Sequence, residues 1–277
     1  MNSLFVPVEP ANASTTDTEH WLPTELSRGP WSPDSLHGGP PAALLTRALE
    51  RLPARAAMRL VRVTVELLRP VPLAAHVPLW LTSEVVRNGT LVGIVESALG
   101  RADDGTLVAL ARGQRIRVAD IEFADGAVDE VPELPTEQDA AADARPTVGA
   151  HDDTAYHSHA VDHRFLRGRL GEPGPAFDWI RLGVPVVPGE EPTGWQRAMA
   201  AADFANGISA VAPFDGSSLF INPDLTVTLW REPEGEWVGL DSVTRTAPGG
   251  IGISDTALWD RTGRIGRSTQ SLLLDRS

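Results

Sequence analysis

The chain has 277 residues, enough for one large domain or two of ordinary size. With 42% hydrophobic and 22% charged residues it has a globular balance, and no apolar run reaches the ~20 residues that span a bilayer. A formal net charge of −13 sets most of the surface against nucleic acid, and the absence of cysteine excludes disulfides, thiolate metal sites and a thiol nucleophile.

The first ten residues lack the basic start and apolar core of a secretory signal, so the expected location is cytoplasmic. Residues 38–52 (GGPPAALLTRALERL) read as a helix. Pro40 and Pro41 fit its first turn, where no amide donor is needed, and Ala42, Leu45 and Leu49 recur at helical spacing. Four strand-like stretches follow, at 60–70, 77–87, 91–101 and 106–118, with turn signals at Asn88-Gly89 and Asp104-Gly105. Residues 119–146 are acidic and Ala-rich and read as a linker. Strands are expected at 156–166 and 178–187. A second helix is expected over 193–206 (TGWQRAMAAADFAN), with Gly207 as its C-cap. Four more strands are expected at 219–231, 237–246, 251–260 and 264–274.

The halves read as one unit used twice. VTVELLRPVP (63–72) parallels LTVTLWREPEG (225–235), each with an Arg closing the strand (Arg69, Arg231) and a Pro soon after. VESALGRADDGTLVALARGQ (95–114) parallels SDTALWDRTGRIGRSTQS (254–271). The expected organisation is a domain over 1–118, a linker over 119–150 and a second domain over 151–277.

A helix wrapped by an antiparallel sheet, repeated in tandem, resembles the double-hotdog acyl-CoA thioesterases of the bacterial type II group. HGGPPAALL (37–45) resembles the lead-in to the first hotdog helix. AAADFANG (200–207) resembles the second helix with its catalytic Asp. LFINPDLTVTLWREPEGEWV (219–238) and STQSLLLD (268–275) resemble the strands with the other two site residues. The resemblance implies an α+β tandem hotdog and hydrolysis of an acyl-CoA thioester, with no cofactor, and a dimer of two-unit chains. It also implies a water-activating group of Asp, Thr and Gln, which falls on Asp203, Asn222 and Gln270. Asn222 departs from the Thr of that pattern: an amide orients a water, but it offers no hydroxyl. All 24 basic residues are Arg, which reads first as the mark of a GC-rich genome; a local Arg cluster would nonetheless bind the phosphates of coenzyme A despite the net charge.

Thioester hydrolysis needs a nucleophile, a group to take its proton, and donors for the developing oxyanion. Asp203 stands among Met199, Ala200, Ala201, Ala202 and Phe204, where burial would raise its pKa and make it a better base. The competing structural reading has it brace the helix end. Gln270 either serves the site or pairs with a neighbouring strand. Asn222 precedes Pro223, which favours extended backbone, and Asn-Pro-Asp also suits a turn. Gly38 and Gly39 let a backbone approach a ligand, and their amides open a helix that favours negative charge. Alternatively they serve an unusual backbone angle at a plain helix start.

His37 orders the loop or lines the pocket, and Trp31 lines an acyl channel. His151, His157, His159 and His163, with Asp152, Asp153 and Asp162, raise the question of metal. His157 and His159 would share a strand face, but the stretch reads as a solvated strand beside the linker. Two other functions stay open: a non-catalytic acyl-CoA or lipid-binding protein, and an enoyl-CoA hydratase or dehydratase using His37 with Asp34.

Overall fold

The computed structural model describes residues 2–9, 18–73, 77–121, 141–142, 154–214 and 217–276. In the first half, β1 (Phe5–Pro7) and β2 (Glu19–Pro23) precede α1 (Gly39–Arg51). The strands β3 (Met58–Leu67), β4 (Leu79–Asn88), β5 (Val92–Arg101) and β6 (Leu107–Arg117) follow. The second half has β7 (Ala141–Ala142), a π-helical turn Tyr156–Ala160, β8 (Val161–Arg167) and β9 (Ala176–Leu182). Then come α2 (Gly194–Ala202), α3 (Ala205–Ile208), β10 (Ser218–Ile221), β11 (Asp224–Leu229), β12 (Trp237–Ala247), β13 (Ile251–Asp260) and β14 (Gly263–Arg276).

Period-2 patterning drives the strands. In β5, Gly93, Val95, Ser97 and Leu99 turn inward while Val92, Ile94, Glu96 and Ala98 between them are less buried. Every pairing between these strands is antiparallel. The sheet order is β1-β2-β4-β5-β6-β3-β11-β14-β13-β12-β9-β8-β7, with β10 also on β14. Read outward from the β3–β11 pair, β3-β6-β5-β4 matches β11-β14-β13-β12, so the repeat in the sequence is a repeat in topology. This is the tandem hotdog that the resemblance implied. The two sheets are continuous: Val63 and Val65 sit opposite Val227 and Leu225, all buried, while Thr226 Oγ1 donates to Thr64 Oγ1 (3.1 Å) across the same seam.

The helices pack on each other and on their own strands, α1 against β3–β6 and α2 against β9, β11 and β12. Leu44, Leu45 and Leu49 of α1 are fully buried, and each such side chain contributes roughly 1.5–3 kcal/mol over exposure. Ala198, Ala200, Ala201 and Ala202 give α2 a slim surface that lets the helices approach. At the C-terminus of α1 the carbonyls lack helical donors, and buried Arg115 of β6 supplies them. Its guanidinium donates to Leu52 O (2.9 Å), Pro53 O (3.2 Å) and Leu49 O.

Several boundaries differ from expectation, each for a physical reason. The strand expected over 219–231 is two strands, broken at Asn222-Pro223, because Pro223 has no N–H to donate; its carbonyl instead accepts from Leu67 N (2.7 Å). The helix expected over 193–206 breaks after Ala202, where Phe204 N turns back to Ala201 O (3.0 Å), and Gly207 lies inside α3 instead of capping α2. The segment expected as a strand from 156 starts as the π-helical turn, drawn inward by Tyr156, whose hydroxyl donates to Ala200 O (2.9 Å). β9 ends at Leu182, and beyond it Pro185 O and Val186 O accept from Leu4 N and Phe5 N (both 3.0 Å). The paired repeat arginines diverge: Arg231 pairs with buried Asp260 (Nη2–Oδ1 2.7 Å), while Arg69 is exposed. Most of the linker expected over 119–150 lies outside the described residues.

Replacing Arg115 tests the helix-end bonds. Arg115→Met removes the buried guanidinium that donates to the Leu49, Leu52 and Pro53 carbonyls. It should lower the unfolding free energy by roughly 2–3 kcal/mol, read as an earlier midpoint in a urea titration.

Candidate functional site

Asp203 is the C-cap of α2, and its side chain is 5% exposed. A carboxylate at a helix C-terminus faces that helix's negative pole. Here it turns instead to the N-terminus of α1, whose N-cap is Gly38, where the dipole favours negative charge. His37 Nδ1 lies 2.8 Å from Asp203 Oδ2. Asn222 Nδ2 donates to Asp203 Oδ1 (2.7 Å), and Gln270 Nε2 makes longer contacts of 3.4 Å to the same oxygen and to the Asp203 carbonyl. Gln270 Oε1 in turn accepts from Asn206 N (3.2 Å). A 2.8 Å imidazole–carboxylate contact requires the proton on Nδ1. The Gly39 N–H lies 3.2 Å from that nitrogen and also bonds the Asp203 carboxylate.

These donors decide the charge. Burial pushes the Asp203 carboxyl upward and is the largest single effect. The electrostatic interaction and hydrogen bond of His37, with hydrogen bonds from Asn222 and Gly39, more than offset it, so the net shift is downward. The expectation that burial would make Asp203 a stronger base is corrected: it is a stabilised carboxylate.

The glycine pair has a steric reason. A Cβ on Gly38 would lie 2.7 Å and 2.8 Å from the Asp203 carboxylate oxygens, and one on Gly39 would lie 2.6 Å from Ala200 O. Gly38 has φ −70° and ψ −24°, which any residue adopts, so close approach requires the glycine and no unusual angle does.

Beside this cluster opens a cavity of about 420 Å³. Trp31, Leu36, Leu67, Phe204, Phe214 and Phe220 form much of its apolar wall. His37, Gly38, Asp203, Asn222 and His157 bring polar groups to it, and Arg69 borders it. Trp31 is 56% exposed and stands edge-on to Phe214 at 5.1 Å. Gln270 is not on the cavity wall; it is buried behind Asp203.

The structure thus brings together Asp203, Asn222, Gln270, Gly38, Gly39 and His37, with Trp31 on the same cavity. The acid facing His37 is Asp203 of the other half; Asp34 is exposed. Tyr156 and Phe204 escaped the sequence reading. Their rings stack at 5.4 Å, and the His37 ring lies 5.0 Å and 4.5 Å from them. The only signal for Phe204 was its place next to Asp203, and Tyr156 lay in a stretch read as plain strand.

His157 and His159 do not share a strand; they sit on the π-helical turn, His157 buried and His159 exposed. Burial first, then the nearby His37, His163 and His159, push His157 down to about 4, so it is neutral near pH 7. His163 pairs with buried Asp178 (2.5 Å) and Asp162 with Arg181 (2.6 Å). Among the described residues no group of three or more His, Asp or Glu is arranged to hold a metal ion. His151, Asp152 and Asp153 lie outside the described residues.

Comparison with known proteins agrees with this architecture. A model of the acyl-CoA thioesterase N-terminal domain matches residues 27–114, and one of the acyl-CoA thioesterase C-terminal domain matches residues 129–274. No curated protein matches. A hotdog-fold protein of unknown function from Alicyclobacillus acidocaldarius superposes with a TM-score of 0.69 at 16% identity, over 93% of each chain. Acyl-CoA thioesterase II TesB2 of Mycobacterium marinum gives 0.64 at 14% identity over 94% of each chain. A tesB protein of Mycobacterium avium subsp. paratuberculosis gives 0.66 at 13% identity over 93% of each. At these identities the solved structures establish the fold, and the domain matches establish the lineage: the chain belongs to the acyl-CoA thioesterase family.

Proposed function

We propose that the protein hydrolyses an acyl-CoA thioester to a free acid and coenzyme A. The observation that carries this is a buried Asp203 carboxyl held at the polar end of an apolar cavity by His37 and Asn222 beside the N-terminus of α1. The acyl chain occupies the apolar wall, and its thioester carbonyl lies against the start of α1, where helix-end amides stabilise an oxyanion. Asn222 spends its amide donor on Asp203, and its carbonyl oxygen remains for a water, so it serves at the Thr position of the family pattern. Gln270 keeps Asp203 and the Asn206 backbone in place. Arg69, exposed at the cavity and without an ion-pair partner among the described residues, suits a coenzyme A phosphate. The dimer implied by the resemblance belongs to this proposal, and light scattering on a sizing column reads it directly.

A second reading rests on the His37–Asp203 pair, since an imidazole backed by a carboxylate also adds water to an enoyl-CoA. The products separate the two: hydrolysis releases a free thiol from saturated acyl-CoA, and hydration consumes the enoyl chromophore without releasing one. Release of no thiol across a panel of acyl-CoA chain lengths would sink the thioesterase reading.

Asp203→Asn removes the charge at nearly constant shape. It should lower kcat/KM by about 100- to 10,000-fold, measured as thiol release, with the fold retained by circular dichroism. Gly38→Ala forces a methyl against the carboxylate and should cost about 10- to 100-fold in the same assay. Gly183→Ala is the control: its nearest contact, Ala160 O at 3.5 Å, is ordinary, so activity should be unchanged.

A further inference from the structure

We propose that His37 Nε2 is the base that takes the proton from the attacking water, with Asp203 as the positioning residue behind it. This rests on the hydrolytic reading above and names a proton acceptor within it.

The geometry of the carboxylate comes first. An ionised carboxylate offers about four lone-pair directions. At Asp203, Oδ1 receives Asn222 at 2.7 Å and Gln270 at 3.4 Å, and Oδ2 receives His37 at 2.8 Å. The Gly39 amide supplies a fourth donor. A carboxylate so filled has little room for a water and little affinity for its proton.

The imidazole is placed the opposite way. Its Nδ1–H is committed to Asp203, which leaves the lone pair on Nε2. Nε2 has no protein partner among the described residues, and His37 lines the cavity. The ring is fixed by Tyr156 and Phe204, so the direction of that lone pair is set before substrate arrives.

The step balances without a co-reactant. Water oxygen bonds to the thioester carbonyl carbon as its proton passes to Nε2, and Asp203 stabilises the resulting imidazolium. The oxyanion collapses, the carbon–sulfur bond breaks, and the Nε2 proton goes to the departing sulfur. Free acid and thiol result, and His37 is neutral again.

Other titratable groups around His37 do not compete for this role. Tyr156, from the π-helical turn, donates to Ala200 O, and burial first, then Asp203, raises it well above its ordinary value. His157, from the same turn, is pushed down to about 4. His163 of β8 is held by Asp178 and meets Phe204 edge-on.

The test uses the full chain and begins with wild-type thiol release from an acyl-CoA panel. If wild type releases none, the hydrolytic reading fails. With turnover established, His37→Asn and His37→Ala are compared with it. Asn keeps an amide donor toward Asp203 but cannot take a proton, so it guards against a variant that fails to fold. Both should lose about 1,000-fold or more in kcat with KM within a few-fold. The acid limb of the wild-type kcat/KM profile should vanish in His37→Asn, and added imidazole should restore part of the His37→Ala rate. If wild type turns over and His37→Asn stays within tenfold of it, or keeps the acid limb, the inference is overturned while the thioesterase reading stands.

Discussion

A carboxylate removed from water costs several kcal/mol unless donors surround it, and the meeting of α1 and α2 is organised around that demand at Asp203. The Gly pair exists so that the start of α1 can come within contact of the oxygens. The break after Ala202 turns the Asp203 side chain away from its own helix, and the Asn222-Pro223 interruption ends one strand where an amide can reach Oδ1. Backbone irregularities that look like imperfections in helix and strand are therefore the means by which one charge is held in an apolar interior.

The duplicated topology makes the asymmetry between halves informative. At the opposite crossing, Glu50 near the end of α1 faces the start of α2 and accepts from Thr193 Oγ1 (2.8 Å) and Gln196 Nε2 (2.9 Å). Arg115 ties down that helix end from β6, as Gln270 does at Asp203 from β14. Pro233 packs against Gly194, leaving no space for even a methyl. Pro233 sits on this joint at one end of the helix pair, and at the other the joint borders the cavity.

Much of this was legible in the sequence because it depends on local pattern. Period-2 alternation placed the central strands within a few residues, and Pro40, Pro41 and the Leu spacing placed α1. Asp203, Asn222, Gln270 and Gly38 were found through motif order, and they do converge. What failed was what tertiary contact decides. The carboxylate partner of His37 is 166 positions away in numbering terms, Asp203 and not Asp34, and no spacing rule reaches across two domains. The downward direction of the Asp203 shift is not legible locally, because the neighbouring alanines display the burial while the donors come from distant segments. The turn at 156–160 was misread because an alternating pattern does not register that Tyr156 bonds Ala200 O.

The β3–β11 seam bears on how the site behaves on dilution. His37 and the glycine pair come from one half, and Asp203, Asn222 and Gln270 from the other. Were the halves separate chains, this cluster would exist only while two molecules stayed together, and its population would fall as the protein was diluted. In a single chain the partner is always present at high effective concentration, and the shared sheet leaves no open edge at the join. Assembly of this centre is thus a folding event with no concentration term, whatever the order of further association between chains.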